Sequence, residues 1–96
     1  MVHEAPHRLV DAPWFTRYAK RPQRHSATFV QAHADLDAEI AFEEGMFNWI
    51  NENTEGEWYF RRIITEYHAQ ATNKRIVSYE ISFADIQAAV LFKLKY

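Results

Sequence analysis

Residues 3–7, His-Glu-Ala-Pro-His, have the spacing of the His-Glu-x-x-His motif of zinc proteases. In that chemistry two imidazoles one helical turn apart bind the metal, and the glutamate activates the metal-bound water. Pro6 lies between the two histidines and opposes the helix that would align them. We therefore expect neither a metalloprotease nor a metal site here.

Few other residues offer catalytic chemistry. The chain has no cysteine, and with only Gly45 and Gly56 it cannot form a glycine-rich phosphate loop. No serine or threonine lies in the glycine-flanked turn that is typical of many hydrolases. The remaining histidines are expected at the surface or at strand ends: His25, His33 and His68. We predict no catalytic residue, no metal and no cofactor, and hence that the protein is not an enzyme.

The segment Trp58-Tyr59-Phe60-Arg61-Arg62 could bind nucleic acid. Aromatic rings on a sheet can stack on bases while arginines neutralise phosphates. On a strand, however, successive side chains point to opposite faces, so at least one aromatic set should lie in the core. The candidate RNA- or DNA-binding face consists of Trp58, Tyr59, Arg61 and Arg62.

Charge is distributed unevenly along the chain. Residues 34–57 contain eight acidic residues and no lysine or arginine, whereas the segments on either side carry a net positive charge. A solvated helix normally mixes both signs, so this exclusion of cations indicates either a plain solvated face or a surface for a basic partner protein. The predicted partner-binding face consists of Asp35, Asp37, Glu39, Glu43 and Glu44.

Residues 1–24 contain all three prolines and no clear periodicity, which predicts an extended basic arm. Its apolar residues are typical of a segment that lies across the domain or across a neighbouring copy. The expected contacts of the arm are Trp14, Phe15, Arg17, Lys20, Arg21 and Arg24. An arm placed on the acidic helix of another copy would make the protein a homo-oligomer.

Residues 25–96 are predicted to form a single domain. A strand over residues 25–33 precedes a helix that Asp35 caps and that ends within residues 51–56. Strands follow over residues 57–67 and 74–83, with a hairpin loop between them. The inner face of the first helix is expected to include Leu36, Ile40, Phe47 and Ile50.

A short terminal helix begins near Ala84, with Ile86, Val90 and Leu94 on one face. Helices need a sheet against which to bury their apolar side chains. We therefore expect an α+β fold, with a small, mainly antiparallel sheet of three or four strands and both helices on one face.

The end of the chain resembles small uncharacterised proteins of tailed bacteriophages. In those proteins an aromatic strand, like residues 77–83 here, leads to a helix that ends with Ala-x-x-Phe-Lys-Leu-x-aromatic. The matching residues here are Ala89, Phe92, Lys93, Leu94 and Tyr96. The resemblance covers about a fifth of the chain and implies a phage origin, without an activity that can be transferred.

These observations favour a non-catalytic phage protein that binds a basic host or virion protein, for example as an inhibitor, through the acidic helix and exposed aromatic residues. The alternative is an RNA- or DNA-binding module that uses the aromatic and arginine-bearing strand together with the basic arm. The lack of cysteine and of an apolar N-terminal segment leads us to expect a cytoplasmic location in the host cell or association with the virion, and no membrane partner.

Overall fold

The computed structural model of the protein describes residues 2–4, 16–64 and 75–96. Four strands form one sheet: β1 (Val2–Glu4), β2 (His25–His33), β3 (Trp58–Ile64) and β4 (Arg75–Phe83). Two helices complete the architecture: α1 (Leu36–Asn53) and α2 (Ile86–Lys95). The predicted α+β fold is confirmed.

The strands lie in the order β1-β3-β4-β2, and each neighbouring pair is antiparallel. Strand β4 is central, and its Tyr79 pairs with Phe29 of β2 and with Arg62 of β3. Because side chains alternate along a strand, these three residues point to the same face of the sheet. Both helices pack on that face.

A capping carboxylate marks the start of helix α1, and a glycine turn follows its end. The Asp35 carboxylate accepts a hydrogen bond from the Ala38 amide at 2.8 Å and caps the first turn. After Thr54 the chain turns through Gly56, which has a φ of 84°. This left-handed conformation is one that glycine adopts without strain, so the helix-to-strand turn depends on it.

The core lies between the helices and the sheet. Phe47 of α1 contacts Trp58 and Phe60 of β3, with ring centroids 5.7 and 4.7 Å apart. On the α2 side, Phe92 lies 5.5 Å from Phe83 and 6.1 Å from Phe29. Helix α1 therefore covers β3 and β4 and also contacts β2 through Phe42. Helix α2 covers β4 and β2.

The predicted helix faces need two corrections. Leu36 was expected on the inner face of α1 but is 53% exposed, because the buried face contains Glu39 and Glu43 in addition to Met46, Phe47 and Ile50. The predicted apolar face of α2 points outward, whereas Ala88, Ala89 and Phe92 face the sheet.

The described part of the arm lies on the domain itself. Tyr18 forms an isolated parallel bridge with Trp58, and the Ala19 amide donates to the Trp58 carbonyl at 2.7 Å. Ala19 is buried, and the Tyr18 ring stacks at 6.4 Å on Tyr59. The arm thus covers part of the sheet face opposite the helices.

Candidate functional site

Two glutamates of α1 that the sequence placed on a partner-binding face are buried in the core. Glu39 and Glu43 are each 0% exposed, so the prediction of an acidic face that includes them is wrong. They lie four residues apart, on the same helical face as Met46 and Ile50, which follow Glu39 at positions i+7 and i+11. Helical geometry therefore turns both carboxylates toward the sheet.

Two arginines of the sheet neutralise these carboxylates. Arg75 Nε of β4 donates to Glu39 Oε1 at 2.5 Å. Arg62 Nη1 of β3 lies 3.4 Å from Glu39 Oε2 and 3.2 Å from Glu43 Oε1. Two negative and two positive charges thus form a compact group, which satisfies the requirement that buried charge be paired.

Tyr79 and His33 extend this group across the sheet. The Tyr79 hydroxyl donates to Glu43 Oε2 at 2.9 Å. The hydroxyl oxygen of Tyr79 also lies 2.8 Å from His33 Nε2. Because the hydroxyl hydrogen points to Glu43, we infer that His33 Nε2 carries a proton and donates it. The residues of this ionic cluster are His33, Glu39, Glu43, Arg62, Arg75 and Tyr79.

Burial controls protonation within the ionic cluster. Desolvation lowers the pKa of His33 below 6.5, against an opposing effect of the Glu39 carboxylate. Desolvation also raises the pKa of Glu43, although the Arg62 charge opposes it. The pKa of the Tyr79 hydroxyl is raised strongly by burial and by the Glu43 carboxylate. At pH 7 Tyr79 and His33 are therefore neutral.

The ionic cluster fixes α1 on the sheet. His33 ends β2, Arg62 lies on β3, and Arg75 begins β4, so the interactions join three strands to the first half of α1. The carboxylates are held by guanidinium groups, and the Tyr79 hydroxyl is held by Glu43. Side chains that are paired with each other in this way stabilise the packing of α1 on the sheet and are poorly placed to attack a substrate.

The predicted nucleic-acid face is wrong, because its members belong to the core or to ion pairs. Trp58 is 0% and Tyr59 is 2% exposed, so neither ring is open to a base. Arg62 belongs to the ionic cluster, and Arg61 Nε lies 3.1 Å from Glu80 Oε1. The side chains that would stack on bases and bind phosphates are thus used within the fold.

The basic arm makes one well-defined contact with the acidic helix. Arg17 donates to the carbonyls of Ile50, Asn51 and Gly56 at 3.2, 3.1 and 2.7 Å. The last turn of α1 has no basic residue of its own, so Arg17 supplies the cation that the negative end of the helix dipole favours. This contact lies within one chain, and the exchange of arms between two copies stays a prediction.

The other predicted arm residues are placed differently. Lys20, Arg21 and Arg24 are exposed, and Trp14 and Phe15 lie outside the described residues. Of the predicted acidic face, Asp35 and Asp37 are exposed and Glu44 is half-buried. His3 and Glu4 of the zinc-protease-like motif lie in β1, whose backbone is a strand and not the helix that this motif requires.

The apolar face of helix α2 that was predicted to be buried is exposed. Its outward face exposes Ile86, Val90 and Leu94, which are 58%, 51% and 81% exposed and follow one another at intervals of four residues. Leu91 beside them is 45% exposed. A contiguous row of large apolar side chains open to water makes this face a candidate interaction surface.

A groove lies beside this apolar row, between the end of α1 and the start of α2. It is lined by Asn53, Thr54, Glu55, Asp85, Gln87, Ala88 and Leu91. Its two carboxylates lie next to the apolar row, whereas Lys93 and Lys95 are exposed at the other end of α2. We define the α2 surface as residues 86, 90, 91 and 94 together with the groove. It therefore has carboxylates at its groove end, and two lysines lie beside its other end.

No known protein family matches the chain, and neither a characterised protein nor a solved structure is detectably similar to it. Among the described residues, no three potential metal ligands lie close enough together to bind one ion. Neither α1 nor α2 has the length and hydropathy of a membrane-spanning helix.

Proposed function

We propose that the protein is a non-catalytic interaction protein that docks on a partner protein through the α2 surface. The observation that carries this proposal is the exposed row of Ile86, Val90 and Leu94. Complete burial of a fully exposed side chain of this kind contributes about 1.5–3 kcal/mol. The three residues are 58%, 51% and 81% exposed, so a protein that covers them gains part of this free energy at each.

The chemistry of this surface supports one kind of partner over others. A helix whose own apolar residues recur every three to four positions would fit the row, because ridges of side chains pack into the grooves of a facing helix. A lysine or arginine of that helix would meet Glu55 and Asp85 in the groove. The sequence-based hypothesis of a basic partner is thus kept, and its site moves from α1 to α2.

The resemblance of the chain's tail to tailed-bacteriophage proteins supports a host or virion protein as this partner. Ala89 and Phe92, two of the residues that carry the resemblance, pack inward, whereas Leu94 is the most exposed residue of the apolar row. The helix that carries the resemblance therefore combines core positions with the proposed docking position.

Affinity capture with matched variants tests the proposal. The wild-type protein, Leu94→Glu and Val30→Glu are immobilised separately and exposed to nuclease-treated bacterial lysate. Val30 is 64% exposed on the sheet face opposite α2 and serves as the control. We expect wild type and Val30→Glu to retain the same protein in stoichiometric amount, and Leu94→Glu to lose it. Retention of an identical set of proteins by all three would contradict the proposal.

A further inference from the structure

We propose that the free edge of strand β2 pairs with β2 of a second copy of this chain, antiparallel about a two-fold axis beside Phe29, so that two sheets become one. In the described sheet β2 is the last strand of the order β1-β3-β4-β2, with β4 as its neighbour on one side. On the other side every second residue directs its backbone N–H and C=O outward. This edge is separate from the α2 surface, so either proposal can fail without the other.

The outer edge of β2 is open to another strand. Among the residues that the structure describes, the main chain of β2 bonds to β4, and it makes one further hydrogen bond, in which the Ala32 carbonyl accepts from the Gln31 side chain at 3.2 Å. On the face opposite the helices the side chains of β2 are exposed, including Ser26, Thr28 and Val30. The outward backbone groups of β2 are therefore accessible.

Strand β2 lacks the features by which proteins protect a free edge. Such edges are normally short, interrupted by proline or a bulge, or marked by lysine and other charged residues. β2 has nine residues, with no proline, lysine, arginine, aspartate or glutamate. Its pairing with β4 runs without a bulge from His25–Phe83 to His33–Arg75. At about 3.3 Å per residue, the edge offers about 30 Å of regular backbone to a second strand.

The strand complements itself in an antiparallel register centred on Phe29. Phe29 then lies opposite Phe29 of the second copy, on the face that the helices cover, and aromatic cross-strand pairs are favourable. On the other face Thr28 lies opposite Val30, and both are β-branched residues that favour strands. All nine residues of each strand are paired in this register, whereas moving the axis by one residue leaves two residues of each strand unpaired.

The charges that flank β2 favour the antiparallel direction and a second copy as the partner. Arg24 directly precedes the strand, and Asp35 and Asp37 follow it; all three are exposed. The register centred on Phe29 places Arg24 opposite Ala34 of the second copy and beside the adjacent Asp35, at both ends of the shared edge. Parallel pairing would place like charges together. The antiparallel pair thus brings the basic arm of one copy to the start of the acidic helix of the other.

The dimer is expected to be dissociable. Each copy contributes a single strand, which gives an interface smaller than the standard size of about 800 Å² on each partner. We therefore expect a dissociation constant on the order of 10 µM. Sedimentation equilibrium of the full chain from about 1 to 500 µM covers this range. The dissociation constant should rise with salt concentration, because the flanking charges are exposed.

Charge exchange at exposed positions of β2 tests the register. Thr28→Lys with Val30→Lys places lysines opposite each other twice in the dimer, and Thr28→Glu with Val30→Glu does the same with glutamates. Each double variant should raise the dissociation constant about tenfold or more, because like charges directly opposite destabilise a strand pair. Mixed in equal amounts, the two pair lysine with glutamate at both places, and association should recover. Ala41→Lys with Asn48→Lys adds the same charge at exposed positions of α1 and should leave the dissociation constant unchanged.

Hydrogen exchange of the wild-type chain tests the edge without any substitution. Between about 1 and 500 µM the amides of β2 should gain more protection than those of α2, because they acquire bonds to the second strand. Far-UV circular dichroism and the urea midpoint show whether each double variant keeps the fold.

Three results would overturn the inference. They are a wild-type chain that is monomeric at all these concentrations, a dimer in which β2 gains no more protection than α2, and a mixture of folded charge variants that stays as dissociated as either alone. Capture of another protein that depends on Leu94 would persist in each case, because the proposed function uses the α2 surface. The failure of the inference can thus be distinguished from the failure of the proposed function.

Discussion

Replacing Glu39 by glutamine should remove about 3 kcal/mol from the free energy of unfolding. Glu39 is 0% exposed, accepts a hydrogen bond from Arg75 and lies 3.4 Å from Arg62. Breaking a buried ion pair by removing one partner costs about 3–5 kcal/mol, because the other charge stays buried without compensation. The Arg75 side chain is 34% exposed and can reach water, so the lower end of this range applies.

Urea unfolding followed by circular dichroism measures this loss. With a slope of about 1.5 kcal/mol per molar urea, the midpoint should fall by about 2 M. Glu52→Gln is the matched control, because Glu52 is exposed on the same helix and undergoes the same chemical change. The free energy of unfolding of Glu52→Gln should differ from that of wild type by at most about 0.5 kcal/mol. Its urea midpoint should therefore shift by much less than that of Glu39→Gln.

A double variant shows whether the loss comes from the uncompensated charge. Glu39→Leu with Arg75→Met removes both members of the pair, and apolar replacements of buried pairs are often neutral. We expect the double variant to be more stable than Glu39→Leu alone. Equal urea midpoints for Glu39→Gln and Glu52→Gln would mean that Glu39 behaves as a solvated carboxylate, and would contradict a buried ion pair.

Further substitutions test the other contacts, each by urea unfolding. Arg17→Met removes three donor contacts at the end of α1 and should lower the free energy of unfolding by about 1–2 kcal/mol. Lys20→Met, at an exposed arm position, should lower it by less than about 0.5 kcal/mol. Gly56→Ala should cost about 1 kcal/mol because of the φ of 84°, whereas Gly45→Ala should stabilise α1 by up to about 1 kcal/mol, since an added Cβ meets no atom. The folded pKa of His33 lies below 6.5, so below pH 6.5 the unfolded chain binds more protons at this residue and wild type loses stability as the pH falls. His33→Gln should lose less over the same range, and equal losses in the two proteins would contradict the buried, neutral imidazole.

Local signals in the sequence were sufficient to predict five of the six described elements, all except β1, which lies in the segment predicted as an extended arm. Asp35 predicted the start of α1 because a carboxylate that accepts an amide hydrogen bond acts without help from the rest of the fold. The alternation of residues 75–83 likewise predicted β4, since one face of this strand packs against the core. The antiparallel sheet with both helices on one face follows from these elements.

The candidate site could not be predicted in the same way, because hydropathy alone does not show which face of a helix is buried. The buried face of α1 includes two acids, and their partners come from strands distant in sequence. One signal was present: Glu39 and Glu43 share a helical face with Met46 and Ile50. In α2 the buried face includes the small residues Ala88 and Ala89, and the larger Ile86, Val90 and Leu94 are exposed, which is the opposite of the prediction.

Site-specific cross-linking shows whether the α2 surface docks on another protein. The chain contains no cysteine, so Val90→Cys provides a single thiol for a benzophenone label at the centre of the surface, and Val30→Cys provides a control on the opposite face of the sheet. Each labelled protein is irradiated alone and in nuclease-treated bacterial lysate. We expect a discrete cross-linked product from position 90, either with a second copy or with one other protein, and none with another protein from position 30. Equal yields of a product with another protein from both positions, or no product from position 90, would contradict docking through the α2 surface.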